Sequence, residues 1–124
     1  MPSTNNKSHK INVCGIGPGN PDLIVPQVYQ LVAASDVVVG GERHVDIFNV
    51  QGKETLVLRN NIPEIIKQIK QTPNKRITVL VSGDTGFHSL LRSLLGHFSP
   101  NDLNVVPGIS TYQYFFAKTG MTYE

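Results

Sequence analysis

Ile11-Asn12-Val13-Cys14-Gly15-Ile16-Gly17-Pro18-Gly19-Asn20-Pro21-Asp22-Leu23 decides how this chain folds. An apolar, β-branched run ends in three spaced glycines, and two prolines then lead into a helical pattern. That order is a parallel strand followed by a turn at its carboxyl end, where open α/β sheets hold their ligands. Glycine there permits positive φ and lets a ligand approach the backbone, whose N–H groups can donate to it.

Outward from this stretch, apolar runs recur at residues 11–15, 36–39, 54–58, 77–82 and 103–106, with helical patterns between them. The first helix is predicted over residues 21–34, with Pro26 in its early turns and Leu23, Val28, Leu31 and Val32 on one face. A second starts after Asn61 as cap, with Pro63 and Glu64 in the first turn and Ile62, Ile65, Ile66 and Ile69 as its buried stripe. The continuous run Ile77-Thr78-Val79-Leu80-Val81 reads as a central strand covered on both faces. A third helix over residues 88–97 carries Leu90, Leu91, Leu94 and Leu95, and Gly96 with Ser99-Pro100-Asn101-Asp102 stops it. The last helix runs over residues 110–119, with Gly120 in the left-handed terminal position. Strands alternating with helices give an α/β fold: a mostly parallel five-stranded sheet with helices on both faces. Residues 1–10 form a flexible, polar N-terminal segment, and residues 11–124 form the domain.

The bulk properties set bounds. With 124 residues, one domain can bury roughly two-thirds of its unfolded surface without a disulfide or metal staple. No apolar stretch reaches the ~18 residues of a membrane span, and no export signal opens the chain, so the expected setting is cytoplasmic and off the membrane. A net charge of +2 with scattered Lys and Arg argues against nucleic acid as partner, and still tolerates an anionic small molecule. Cys14 is alone in an apolar run and reads as a buried structural thiol. The four histidines, at 9, 44, 88 and 97, show no close pairing, so no metal site is expected. His97 lies where it can favour the negative end of a helix.

In a parallel sheet the loops after the first, fourth and fifth strands share one edge. They are Gly15-Ile16-Gly17-Pro18-Gly19-Asn20-Pro21-Asp22, Ser82-Gly83-Asp84-Thr85-Gly86-Phe87 and Pro107-Gly108-Ile109-Ser110, the three most unusual pieces of the sequence. Each alone could be punctuation between strand and helix, and Asp84 and Ser110 could be helix caps. Their convergence is what favours a ligand. A dinucleotide fits less well: Asn20 stands where the G-x-G-x-x-G fingerprint needs its third glycine, and Asp36 lies at the start of the second strand, although Glu42 just past its end is an alternative ribose acid.

The constellation resembles the N-terminal domain of the tetrapyrrole methyltransferases, the S-adenosylmethionine-dependent enzymes of corrin and sirohaem synthesis. The carriers are the glycine loop at residues 13–23, Ala34-Ser35-Asp36-Val37-Val38-Val39, Val81-Ser82-Gly83-Asp84 and Val105-Val106-Pro107-Gly108-Ile109-Ser110, in that order. Gly40-Gly41-Glu42-Arg43-His44 resembles the branch that methylates a precorrin at C5 and C15, or a cobalt-precorrin at C5. The resemblance implies S-adenosyl-L-methionine as cofactor, held by Ser82, Gly83, Asp84, Gly86, Phe87, Pro107, Gly108, Ile109 and Ser110. It implies a precorrin or cobalt-precorrin substrate above Gly15, Gly17, Pro18, Gly19 and Asn20, with Arg43 and His44, and Arg59 behind them, meeting the ring carboxylates. The implied reaction is in-line attack of an electron-rich ring carbon on the sulfonium methyl group.

Three departures from the family pattern stand out. Asn20 occupies a place where many members carry Asp and cannot titrate there, which leaves Asp22 as the candidate catalytic acid–base. Thr85 replaces a common Pro, and Ile24-Val25 replaces a usual Leu-Thr. The chain also stops near where a second α/β domain would begin, so it is expected to be the N-terminal half of a homodimeric enzyme, lacking the C-terminal domain and any decarboxylating methyltransferase partner. Two other readings stay open: a non-catalytic α/β folding and dimerisation module, and a dinucleotide-binding domain using Gly15 and Gly17.

Overall fold

Residues that must be buried on both sides cannot alternate in polarity, and the strands obey this. In the computed structural model, which describes residues 10–17, 21–82 and 89–108, the strands are β1 (Lys10–Gly15), β2 (Val37–Gly40), β3 (Glu54–Val57), β4 (Arg76–Val81) and β5 (Leu103–Val106). They form one sheet in the order β3-β2-β4-β1-β5, with every pair parallel. The interior strands β1, β2 and β4 are almost wholly buried, while the edge strands β3 and β5 are half exposed.

Among the described residues four helices cover the sheet: α1 (Pro26–Ala33), α2 (Glu42–Val45), α3 (Ile62–Lys70) and α4 (Ser89–His97). On one face Ile65, Ile66 and Ile69 of α3 and Leu90 and Leu94 of α4 pack with Ile11, Val13, Val37, Val39, Ile77, Val79 and Val81. On the other, Val28 and Val32 of α1 and Val45 of α2 pack with Cys14, Val38, Leu80 and Val106. Each fully buried side chain of this size contributes about 1.5–3 kcal/mol. The second face also carries a polar row at one register level. Asn104 donates to Asn12 (2.9 Å), Asn12 to Thr78 (3.4 Å), and the Thr78 and Ser35 hydroxyls share a short hydrogen bond. Ser35 also donates to the Leu31 carbonyl (2.7 Å), so the buried hydroxyls are satisfied.

The connections β1-α1-β2 and β2-α2-β3 run one way across the sheet over one face. Those through α3 and α4 run back over the other face. All four crossovers therefore share one hand, as parallel sheets require.

The sequence reading needs several corrections. The first helix is not continuous over residues 21–34: a 3-10 turn (Pro21–Leu23) precedes α1, which starts at Pro26. Proline disfavours helical ψ in the residue before it, and Val25 is extended, at φ −64° and ψ 143°. Leu23 and Leu31 are consequently half-buried, leaving Val28 and Val32 as the inward residues. The Asn61 carboxamide does not cap α3. It accepts from the Arg59 N–H and donates to the Val57 carbonyl (3.1 Å), tying together the turn that leaves β3. Leu95 faces solvent, and Gly96 lies within the last turn of α4 rather than ending it. Lys10, assigned to the flexible segment, opens β1. The helix expected over residues 110–119 lies outside the described residues.

Candidate functional site

At the centre of this sheet neighbouring strands send their connections to opposite faces. The chain leaves β1 toward α1 on one face and leaves β4 toward α4 on the other, and β1 and β4 are neighbours in register from Lys10↔Arg76 to Gly15↔Val81. The loops part there and open a crevice beyond the carboxyl ends of the strands. On the far side of β1, Cys14 pairs with Val106, so the exit of β5 lies beside the same point. The ends of β4, β1 and β5 thus stand side by side, bringing Ser82, Gly15 to Gly17, and Pro107 to Gly108 together.

The described part of the glycine loop is firmly seated. The Ile16 N–H donates to the Val81 carbonyl (2.9 Å), extending the β1–β4 ladder, and the Ile16 side chain is fully buried on the α1 face. Gly17 then turns away at φ +69°, a conformation that side-chain-bearing residues rarely adopt. Gly15 and Gly17 are buried, Ser82 and Pro107 are exposed, and Gly108 is half-buried. Pro18, Gly19, Asn20, Gly83, Asp84, Thr85, Gly86, Phe87, Ile109 and Ser110 lie outside the described residues.

Asp22 is exposed on the turn that follows the glycine loop. Arg43 and His44 sit on α2, a four-residue helix that starts where β2 ends, with Arg43 exposed and His44 half-buried. Arg59, from the exit of β3, lies 3.9 Å from Glu42 across an open surface. Its turn is shaped by Asn60 in the left-handed region at φ +49° and by the Asn61 carboxamide. The loops after β1, β2, β3, β4 and β5 therefore all contribute to one edge. The sequence reading did not single out α2 as a helix, nor Tyr29, Phe48 or Asn61 as supports of these loops. Four residues carry no helical period, and the three supports are recognisable only once distant segments meet.

Cys14 lies at the end of β1, fully buried, and burial pushes its thiol up to about 12, so it stays protonated and inert at neutral pH. Asp36 sits at the opposite edge, where its carboxylate accepts the Arg76 N–H (2.9 Å). It cannot bind a ribose beyond the carboxyl ends of the strands. The order β3-β2-β4-β1-β5 also exchanges β1 and β4 relative to the dinucleotide-binding sheet, which weakens the nucleotide alternative further.

A cavity of about 540 Å³ opens at that same amino-terminal edge, lined among others by Ser35, Asp36, Gly52, Lys53, Lys75 and Arg76. Several of its polar groups are already paired. The Lys53 ammonium donates to the Ala33 (2.9 Å) and Ser35 (2.8 Å) carbonyls, and Asp36 is held by Arg76. The strand ends with glycine loops are the better site. Among the described residues no helix is long and apolar enough to cross a membrane.

Comparison with known proteins identifies a family. The family model for tetrapyrrole (corrin/porphyrin) methylases matches residues 10–124. The cobalt-precorrin-7 C(5)-methyltransferase of Salmonella typhimurium is 32% identical over 111 residues, covering 90% of this chain and 55% of the relative. The chain thus spans about half the length of the curated relative it matches. Among solved structures, a cobalt precorrin-4 methyltransferase of cobalamin biosynthesis superposes with a TM-score of 0.78 at 20% identity, over 97% of this chain and 53% of that one. The uroporphyrin-III C-methyltransferase of Thermus thermophilus, solved with S-adenosyl homocysteine, superposes at 0.63 and 21% identity over 89% of this chain and 48% of that one.

Proposed function

Because the chain belongs to the tetrapyrrole (corrin/porphyrin) methylase family, we propose that it forms the N-terminal half of an S-adenosylmethionine-dependent enzyme that methylates a precorrin or cobalt-precorrin ring carbon in cobalamin biosynthesis. The C5-methylating branch is supported by the relative at 32% identity. The observation that carries the reading is the alignment of β4, β1 and β5 at their carboxyl ends, on either side of the switch point.

S-adenosylmethionine, when bound, supplies an electrophilic methyl group, and its demethylated form occupies the Thermus structure. The residues present fit such a group: the main-chain N–H groups of Ser82 and Gly108, the carbonyl of Pro107 and the small Ser82 hydroxyl suit its amino-acid end and impose no competing charge. In this reading those loops, continued by Gly83, Asp84, Gly86, Phe87, Ile109 and Ser110, hold the cofactor, with Asp84 accepting its hydroxyl or ammonium groups. Gly15, Gly17, Pro18, Gly19 and Asn20 form the floor beneath the tetrapyrrole, and Arg43 and His44 meet ring carboxylates. Asp22, exposed at the rim, takes the proton released from the methylated carbon. The chain's contribution to rate is orientation and exclusion of water, worth several kcal/mol, about as much as well-aligned reactants gain. The cytoplasmic setting, the homodimer, the second domain that closes the cleft and a decarboxylating partner belong to the same proposal.

The test uses calorimetry on the full-length protein. Asp84→Ala is expected to weaken S-adenosylmethionine binding by about tenfold or more, as loss of a charge-assisted hydrogen bond does. Unchanged affinity would remove the loop after β4 from the cofactor site.

A further inference from the structure

The two loops assigned to the tetrapyrrole are not joined by the sheet. β4 lies between β1 and β2, so their carboxyl ends stand about 10 Å apart, two strand spacings. No ladder hydrogen bond sets the distance from the turn bearing Asp22 to the helix bearing Arg43 and His44.

The Tyr29 side chain spans that gap. Tyr29, on the first turn of α1, donates its hydroxyl to the Pro21 carbonyl (2.9 Å), the residue that opens the Asp22 turn. Its ring meets Phe48 with centroids 5.2 Å apart and planes tilted by 52°. Phe48 in turn is built into the α2 segment: its N–H donates to the Val45 carbonyl (3.1 Å), the Ile47 N–H to the His44 carbonyl (3.2 Å), and the Asp46 N–H to the Glu42 carbonyl (3.1 Å). The Phe48 ring is buried on the α1 face of the sheet. Tyr29 therefore grips one loop by its hydroxyl and the other by its ring.

Neither core packing nor helix propensity calls for tyrosine here. The residue is 39% exposed, so it is a poor core element, and smaller or straight-chain residues form helices better. Phenylalanine would serve the ring contact alone. A second bond to the Pro21 carbonyl, from the Ile24 N–H, is longer at 3.4 Å, so the Tyr29 hydroxyl is the closer of these two donors.

We propose that Tyr29 is a positioning residue that sets the width of the substrate trough by fixing the Pro21–Leu23 turn against the α2 loop. The proposal rests on the tetrapyrrole reading of this edge. It gives the residue no contact with the reacting atoms, and the hydroxyl and ring of Tyr29 go to the turn after the glycine loop and to the α2 segment.

Two measurements decide it. In full-length enzyme, Tyr29→Phe is expected to raise KM for the cobalt-precorrin about three- to tenfold, the loss of one hydrogen bond, with S-adenosylmethionine affinity and melting temperature unchanged. Phe48→Leu should raise KM likewise by releasing the other loop, with some loss of melting temperature because its ring is buried. An unchanged KM, or equal losses for both ligands with a lowered melting temperature, would overturn the proposal. The second measurement needs no substrate and stands if the enzyme proves to act on something else. Hydrogen exchange in the Tyr29→Phe protein should accelerate both at the Ile24 amide and at the Ile47 and Phe48 amides. Acceleration at Ile24 alone would show the loops to be independent and sink the coupling.

Discussion

The two edges of the sheet are held in opposite ways. At the amino-terminal edge, the starts of β2, β3 and β4 are laced by side chains: Lys53 on two carbonyls, Asp36 on the Arg76 N–H, and main-chain bonds from Asp36 to Arg76 (2.8 Å) and from Glu54 to Asp36 (3.0 Å). At the carboxyl edge the strands run out into Gly15, Gly17, Gly40, Gly41 and Gly108, where side chains give way to bare backbone. The polar cavity is at the first edge and the switch point at the second. A hollow whose central groups, Lys53, Asp36 and Arg76, are tied to the strand ends is architecture. A crevice whose main-chain donors have been cleared of side chains is available to a ligand. Substitutions at the amino edge should therefore alter stability and spare ligand affinity, and those at the loops of the carboxyl edge should do the reverse.

Gly40 tests the limit of that division and carries the largest expected effect. It stands at the carboxyl end of β2, yet a Cβ there would come within 3.1 Å of the Leu80 Cβ and 3.4 Å of the Leu80 carbonyl oxygen. Its backbone is ordinary strand, so space rather than conformation excludes a side chain. Gly40→Val is expected to lower unfolding free energy by about 1–3 kcal/mol in urea titration, the usual cost of overpacking a filled interior. Gly40→Ala should cost less. A neutral valine would show that β2 and β4 can separate there, and would return Gly40 to the ligand-facing glycines.

What the sequence reveals of this architecture follows from how locally each feature is encoded. β4 is legible as a central strand because the apolar run from Ile77 to Val81 is itself the record of burial on both faces. The Ile65, Ile66 and Ile69 stripe is legible for the same reason. The break before Pro26 was also encoded, since proline constrains Val25, but the same residue is equally at home in a first helical turn and was read that way. Asn61 suits a cap and a turn alike, and only the position of the Val57 carbonyl decides between them. The row from Asn104 through Asn12 to Thr78 and Ser35 could not be read at all, because its members meet only when three strands are in register. The candidate site divides likewise. Its glycine loops are visible as sequence, whereas the Tyr29–Phe48 contact that braces them depends on α1 beginning late.

At the amino edge, Lys53→Met should have the next largest effect. Methionine keeps the length of the side chain and loses the ammonium that closes the carboxyl end of α1 through the Ala33 and Ser35 carbonyls. A cation at that end also opposes the helix dipole favourably. The expected loss is about 1 kcal/mol in the same titration, modest because the group is partly in water. S-adenosylmethionine affinity of the full-length protein should not change. A weakened affinity would show that the two edges communicate and would break the comparison.

Asp36 carries the smallest effect and the one with a pH signature. The Arg76 N–H foremost, and then the charges of Arg76, Lys75 and Lys53, hold its carboxyl below the ordinary carboxylate value, against a smaller opposing effect of desolvation. A group whose pKa is lower folded than unfolded binds fewer protons when folded. Its contribution to stability is therefore complete above the unfolded value of about 3.9 and is lost as pH falls through the folded one. Asn at this position can still accept from the Arg76 N–H but carries no charge, so Asp36→Asn isolates the electrostatic part. Unfolding of both proteins followed from about pH 7 down to about pH 3 should show the native chain more stable at the start and the difference shrinking as acid is added. A difference that does not vary with pH would mean that hydrogen-bond geometry, rather than charge, ties β2 to β4 at this edge.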